Sequence, residues 1–328
     1  MMIELVDVIA YDGANIHAPQ PGVLVLLRCD TDRSKRLRAA LKDGAQYIGL
    51  VLGHLDLSAS QAADGWLVSA FFTTPTPAIG VALVRYVVDG LRALAAGDEE
   101  WDRDEPLYEL QRRRRREALP LALLQLQAEA RARGVPSFVR NDGRLQLGYG
   151  ARGIAIDTSS GEAQVAPPWE RLGAVPIVAI TGDRARSSAL RHLAQALDHE
   201  GGARLFDDAG FDEARALLAD PQLTLAVLGL GAPVIERRGV PFDRCQLSAV
   251  LDIPGDTSPA ADARVRALGV PLLLTDPSGL ALLSAHDPAI AALADYASCP
   301  VQMIKAEAND PEALGALAAQ VLLGELQI

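Results

Sequence analysis

At 328 residues the chain is long enough for two domains with sizeable cores. Nearly half of it is hydrophobic, yet no apolar run reaches bilayer length, and the opening MMIELVDVIAYDG carries acids and no basic n-region, so neither a membrane span nor a signal peptide is expected. A net charge of -11 argues against general nucleic-acid binding. The cysteines Cys29, Cys245 and Cys299 are odd in number and widely spaced, which fits a reducing cytoplasm better than a disulfide framework.

In chain order, Ile3–Ala10 and Gly22–Cys29 read as strands and Asp32–Lys42 as a leucine-spaced helix. Gln46–Leu57 is apolar throughout, and periodicity alone leaves it a buried helix or a strand. Trp66–Thr73 is a further strand and Ala78–Ala96 a long amphipathic helix. Leu107–Arg133 is helical sequence interrupted by Pro120. Within it Arg112–Arg116 reads first as a solvated helix face and second as a site for a polyanion or an acidic partner surface. Short strands at Ser137–Arg140 and Leu145–Leu147 complete an α+β pattern over residues 1–153. Residues 154–175 lack periodicity and hold Ser159, Ser160 and Gly161, as a linker does.

From Pro176 the beat becomes strand then helix. Strands are expected at 176–180, 224–229, 247–252, 271–275 and 280–284. Helices are expected near 187–199, 211–219, 259–268, 288–297 and 310–325. Alternating units with apolar strands predict a three-layer α/β domain over 176–328, built on a mostly parallel sheet. Its first unit, PIVAITGDRARSSALRHLAQ, is a strand, a polar loop and a helix, the frame of a phosphate-binding loop. A working loop reads GxxxxGK[ST] or the shorter GxxGK[ST], with Gly for close backbone approach and Lys on the β/γ-phosphates. Here Gly182 is present, Ala185 and Arg186 stand at the Gly and Lys positions, and Ser187 follows. Gly182, Arg186 and Ser187 are the candidate, vestigial cofactor-binding residues.

Three stretches resemble the cyanophycin synthetase family, bacterial ligases that build an Asp–Arg polymer from ATP, aspartate and arginine. DGANIHAPQPGVLVLLRCD resembles the family's opening segment, and ARARGVPSFVRNDGRLQLGYGARG resembles the stretch that closes its N-terminal domain. PIVAITGDRARSSALRHLAQAL, GLGAPVIERRGVPFDRC and GLALLSAHDPAIAAL follow, in order, its Mur-ligase-like central domain. The resemblance covers most of both halves, while the ATP-grasp domain that follows LGYG in the family and the C-terminal Mur domain have no counterpart.

Mur-type chemistry makes an acyl-phosphate that an amine then attacks, and it needs Mg²⁺, a Lys on the phosphates and acidic or His metal ligands. Set against the family's motifs, Arg186 replaces that Lys, and its wide guanidinium is no substitute for a compact ammonium in a tight cradle. Asp183 adds negative charge where phosphate would lie. Gly229 stands where the metal-binding Glu is expected, and Gly255 and Thr257 stand where a Glu and a His are expected. Ser284–Pro288 replaces the NADDP segment. In the N-terminal half, the HxxEH helix of some family members corresponds to Leu50-Val51-Leu52-Gly53-His54. The lone His54 is read as a packed core residue rather than a zinc ligand. Neither a metal-ligand spacing nor a nucleophile elbow is found.

The resemblance therefore implies a non-catalytic paralogue with no cofactor of its own. Such a chain would bind a full-length cyanophycin synthetase-like or Mur-like ligase, or a second copy of itself, in the cytoplasm, without nucleic acid or membrane. The alternative is an ATP-dependent amide ligase-like enzyme with an altered site for ATP and Mg, since a loop at a helix N-terminus still suits an anion.

Overall fold

The computed structural model describes residues 2–157, 166–253, 261–306 and 310–326. They pack as two compact units, Met1–Ala118 with Arg237–Gly239, and Leu119–Glu236 with Val240–Ile328. The first half of the chain thus divides at Ala118, upstream of the boundary at 153 that composition suggests.

The first unit is an antiparallel sheet of β1 (Ile3–Tyr11), β2 (Gly22–Cys29), β3 (Leu55–Ala62) and β4 (Gly65–Thr73), in the order β1-β2-β4-β3. Helices α1 (Ser34–Ile48), α2 (Pro77–Ala96) and α3 (Asp104–Glu117) accompany it. Val23, Val25 and Leu27 of β2 and Val68, Ala70 and Phe72 of β4 alternate onto one core with Leu37, Leu41, Leu83, Val84 and Val88 of the helices. Each such buried aliphatic side chain contributes about 1.5–3 kcal/mol of transfer free energy. The ambiguous run Gln46–Leu57 resolves into a helix end and a strand start. Gly49 stops α1 in the left-handed region, at φ 69°, with its N–H shared by the Ala45 and Gln46 carbonyls; β3 then begins at Leu55.

The second unit opens with α4 (Leu121–Ala132) and a small antiparallel sheet of β5 (Ser137–Val139), β6 (Leu145–Leu147) and β7 (Ile154–Ile156), in the order β5-β6-β7. β7 lies at the start of the expected linker, whose Ser159, Ser160 and Gly161 are outside the described residues. On either side of that stretch the backbone is stitched to itself. Tyr149 N–H donates to the Gly173 carbonyl at 2.8 Å, and Gly173 N–H donates to the Arg152 carbonyl at 3.0 Å.

The main sheet follows: β8 (Ile177–Thr181), β9 (Ala203–Phe206), β10 (Leu225–Leu230), β11 (Cys245–Val250), β12 (Thr275–Ser284) and β13 (Val301–Ile304). Its order is β13-β12-β11-β8-β10-β9 and every pairing is parallel, so the expected three-layer α/β architecture is present. Its helices are α5 (Arg184–Ala196), α6 (Phe211–Leu218), α7 (Ala232–Arg238), α8 (Ala261–Leu268), α9 (Val270–Leu273), α10 (Pro288–Ala291) and α11 (Pro311–Leu326). Val178, Ile180, Val227 and Ala249 face α5 and α11, while Val250, Ala281 and Leu283 face Leu268, Leu272 and Leu293. β8 is buried at all five residues, as its unbroken apolar run requires of a central parallel strand.

One expected strand is corrected. Residues 271–273 belong to α9, with Pro271 in its first turn, Leu274 ends it, and β12 starts only at Thr275. A short apolar run does not distinguish helix from strand, and proline at a first helical position favours the helix.

Candidate functional site

Ligands of open α/β sheets bind beyond the carboxyl ends of the strands, where the strand order reverses. In this sheet that place is the group of loops leaving β8, β10 and β11. β8 ends at Thr181, and Gly182 turns the chain at φ 139°, where a Cβ would meet Asp252 Oδ1. α5 then begins at Arg184, and the Asp183 side chain makes no cap bond to it.

The carboxylate at this helix end comes from elsewhere in the fold. Asp252, just past β11, accepts from the backbone N–H of Asp183 through Oδ1 at 2.6 Å and from that of Ala185 through Oδ2 at 3.0 Å. Leu251 N–H, bonded to the Thr181 carbonyl at 3.1 Å, sets the register between the two loops. An anion accepting two amides at a helix N-terminus is favoured by the helix dipole and by charge-assisted bonding. These amides are the donors that a phosphate loop offers a nucleotide. The negative charge expected of Asp183 is thus supplied by Asp252, which the sequence reading did not single out. Its one signal was a carboxylate directly after an apolar strand.

Arg186 and Ser187 stand in the first turn of α5. Ser187 is half-buried and its N–H points to the Asp183 carbonyl at 3.4 Å. The Arg186 side chain, 8% exposed, runs to the loop after β9. Its Nη1 donates to Asp208 Oδ1 at 3.4 Å, and its Nε lies 2.9 Å from Asp207 Oδ1 in an ion pair that is off the N–H direction. Asp208 takes a left-handed backbone, φ 53°, to reach it. The loop therefore brings Gly182 and Ser187 into one turn and sends the Arg186 charge to two aspartates.

Behind the loop α5 is fastened to α11. Ser188 Oγ donates to the Glu312 carbonyl at 3.1 Å, and Arg191 forks onto both Glu312 carboxylate oxygens at 3.0 Å. That bidentate bond holds the Glu312 carboxyl below the usual glutamate range.

At the remaining motif positions, a Cβ at Gly229 would meet Leu190 Cδ1 and Asp207 Oδ1, so a side chain there would displace both neighbours. His286 Nε2 lies 2.8 Å from the Ala306 carbonyl, and Asp287 caps α10 through the Ala289 N–H. Gly255 and Thr257 lie outside the described residues. Among the described residues no group of three or more His, Cys, Asp or Glu is placed to hold a metal ion.

In the first unit His54 is exposed, which corrects its reading as a core residue. It sits on the link between α1 and β3, where its backbone, not its ring, is bonded to Thr73. The arginine run behaves as a solvated face. Arg112 pairs with Glu109 at 2.7 Å and Arg113 with Glu117 at 2.7 Å, both on α3. All three cysteines are free thiols, and no helix among the described residues is long and apolar enough to cross a membrane.

Comparison with known proteins places this geometry. The family described as domain of unknown function (DUF4938) matches residues 3–304, and the chain belongs to that family. It is also cyanophycin synthetase-like. It is 28% identical over 160 residues to cyanophycin synthetase of Synechocystis sp., and 28% identical over 166 residues to that of Crocosphaera subtropica. These matches take in 42% and 44% of this chain, but only 18% and 19% of the relatives, so the chain spans less than a fifth of the curated proteins it matches. Among solved structures, the UDP-N-acetylmuramoylalanyl-D-glutamyl-2,6-diaminopimelate–D-alanyl-D-alanyl ligase of Acinetobacter baumannii is 15% identical, with a TM-score of 0.37, over 46% of this chain and 43% of that one. A UDP-N-acetylmuramoyl-L-alanyl-D-glutamate–2,6-diaminopimelate ligase is 11% identical, with a TM-score of 0.40, over 52% and 50%. The all-parallel strand order, rather than those likenesses, carries the fold class.

Proposed function

We propose that this member of the DUF4938 family is a non-catalytic relative of the ATP-dependent cyanophycin ligases, acting by binding: it scaffolds or regulates a ligase of that kind, or a second copy of itself. The observation that carries this reading is the Asp252 carboxylate seated on the Asp183 and Ala185 amides. A nucleotide phosphate placed there would have to displace a charge of its own sign. Arg186, the one cation at the Lys position, is held by Asp207 and Asp208 instead of facing the loop. Phosphoryl transfer depends on positioned positive charge around the transferring group, so both features work against it. What supports a binding role is that the sheet, the α5–α11 clamp and the apolar cores are kept while those charges are not.

Calorimetric titration with ATP and Mg²⁺ tests the first half of the proposal, on the wild type and on Arg186→Ala. No heat up to about 1 mM nucleotide, a bound of roughly 4 kcal/mol on binding, is the expected result. Tighter binding that Arg186→Ala abolishes would overturn it and restore the ligase reading. The second half is tested by tagged pull-down with a cyanophycin synthetase and by light scattering of the protein alone. A lone monomer with no ligase captured would refute the partner role.

A further inference from the structure

A cavity of about 400 Å³ lies at the other end of the main sheet from the Gly182 loop. Its rim is formed where β8, β11 and β12 begin: Val175 and Pro176 lead into β8, Cys245 and Gln246 open β11, and Asp276 is the second residue of β12. The crevice used by nucleotides in such sheets lies at the opposite, carboxyl ends. This cavity is therefore separate from the loop of Gly182.

Its charge is lopsided. Arg133, Arg152 and Arg244 line it against the single carboxylate of Asp276. Arg244 is aimed by a bond from Nη2 to the Gly134 carbonyl at 3.1 Å, which leaves its Nη1 4.0 Å from Asp276 Oδ2. Arg133 is braced by Glu129 at 2.8 Å and lies over the Trp169 ring at 5.1 Å. Arg152 has neither an ion pair nor a side-chain hydrogen bond among the described residues. Its guanidinium lies flat against the backbone of Gly173, where a Cβ would be 2.9 Å from Cζ. Asp276 is itself turned along its own strand, accepting from Ser278 N–H at 3.0 Å and Ser278 Oγ at 2.7 Å through Oδ1. Arg244 is thus aimed by a neutral carbonyl, Arg133 shares its charge with Glu129, and Arg152 is unspent, around a floor that includes buried Val135, Leu172 and Val175. Three solvent-facing arginines lining one concavity match the planar, bidentate recognition of carboxylate or phosphate groups.

We infer that this cavity, ringed by Arg133, Arg152 and Arg244, is a binding site for a small molecule carrying two or more anionic groups, carboxylate or phosphate. Its apolar floor and volume suit an occupant larger than a single inorganic anion. The Asp276 carboxylate is placed to accept from a donor on that occupant and to discourage bare polyanions.

The test is calorimetric titration of the full chain at low ionic strength with citrate and, separately, with inorganic pyrophosphate. Binding of at least one is expected, and the arm that binds tells carboxylate from phosphate chemistry. Arg152→Gln, a change at an exposed and unpaired side chain, is expected to weaken that binding about tenfold or more, as loss of a charge-assisted contact does. Asp276→Asn keeps the acceptor for Ser278 and is expected to tighten it. Arg28→Gln, at an exposed ion pair with Glu4 in the first unit, is expected to leave it unchanged. Absence of binding in both arms at about 10 mM, where even contacts worth roughly 3 kcal/mol would register, overturns the inference. So does binding that survives Arg152→Gln, or that is lost equally in Arg28→Gln.

Discussion

Replacing Asp252 by alanine removes the carboxylate that satisfies the Asp183 and Ala185 amides at 2.6 and 3.0 Å. A lost helix cap costs about 1 kcal/mol, and loss of a negative charge from a helix N-terminus adds about 0.3–1 kcal/mol. With Ala185 buried, the sum is placed at about 2 kcal/mol. In a unit of roughly 200 residues, this lowers Tm by about 4–8 °C. Sulfate supplies the second half of the experiment, because the vacated amides then form an open anion site. At ten times its Kd, sulfate restores about 1.4 kcal/mol, most of the loss. The measurement is thermal unfolding by circular dichroism, made in an Arg152→Gln background so that the basic cavity does not contribute. Sulfate is expected to raise the Tm of Asp252→Ala and to leave its parent unmoved. A variant that melts with its parent, or a parent that gains as much from sulfate, refutes the claim that Asp252 occupies the anion position.

The same site makes Gly182→Ala costly, since φ 139° is open to glycine and the new methyl would meet Asp252; a loss of about 1–3 kcal/mol is expected in urea unfolding, partly relieved by adding Asp252→Ala. Thiol labelling of the native protein is expected to start at half-buried Cys299 and to reach Cys245 last, because burial pushes the Cys245 thiol up to about 12; mass spectrometry of the labelled peptides reads the order. The Glu312 carboxyl is held below its ordinary 4.5, chiefly by the hydrogen bond from Arg191. Its contribution is therefore complete above 4.5 and is lost as pH falls through the lowered value. Arg191→Leu is expected to narrow the difference in Tm between neutral and acid pH, and an unchanged pH profile would count against the clamp.

How far the sequence announced these features depends on how local each is. The βα beat after Pro176 was legible because strand burial and helix amphipathy are written within a few residues. β8 and α5 stand within a few residues of their expected places. Gln46–Leu57 could be divided only by recognising Gly49 as a left-handed helix stop. Residues 271–275 read as a strand because four apolar residues carry no period, although Pro271 after Gly269 is a helix signal. The loop residues Gly182, Arg186 and Ser187 were found by motif, since their spacing is local. Asp252 was not, because its role exists only once β11 lies beside β8. The basic cavity is less local still. Arg133, Arg152 and Arg244 are scattered along the chain, and only the folded second unit assembles them.

The two backbone bonds that join Tyr149 and Arg152 to Gly173 make the intervening stretch an excursion whose exit and return points are already neighbours. A chain leaving and re-entering at one spot lets foreign sequence be spliced in, or cut out, without shifting anything that flanks it. This doorway marks the place for a deliberate graft. A folded domain inserted between residues 157 and 166 should leave the rest of the unit at its original melting temperature.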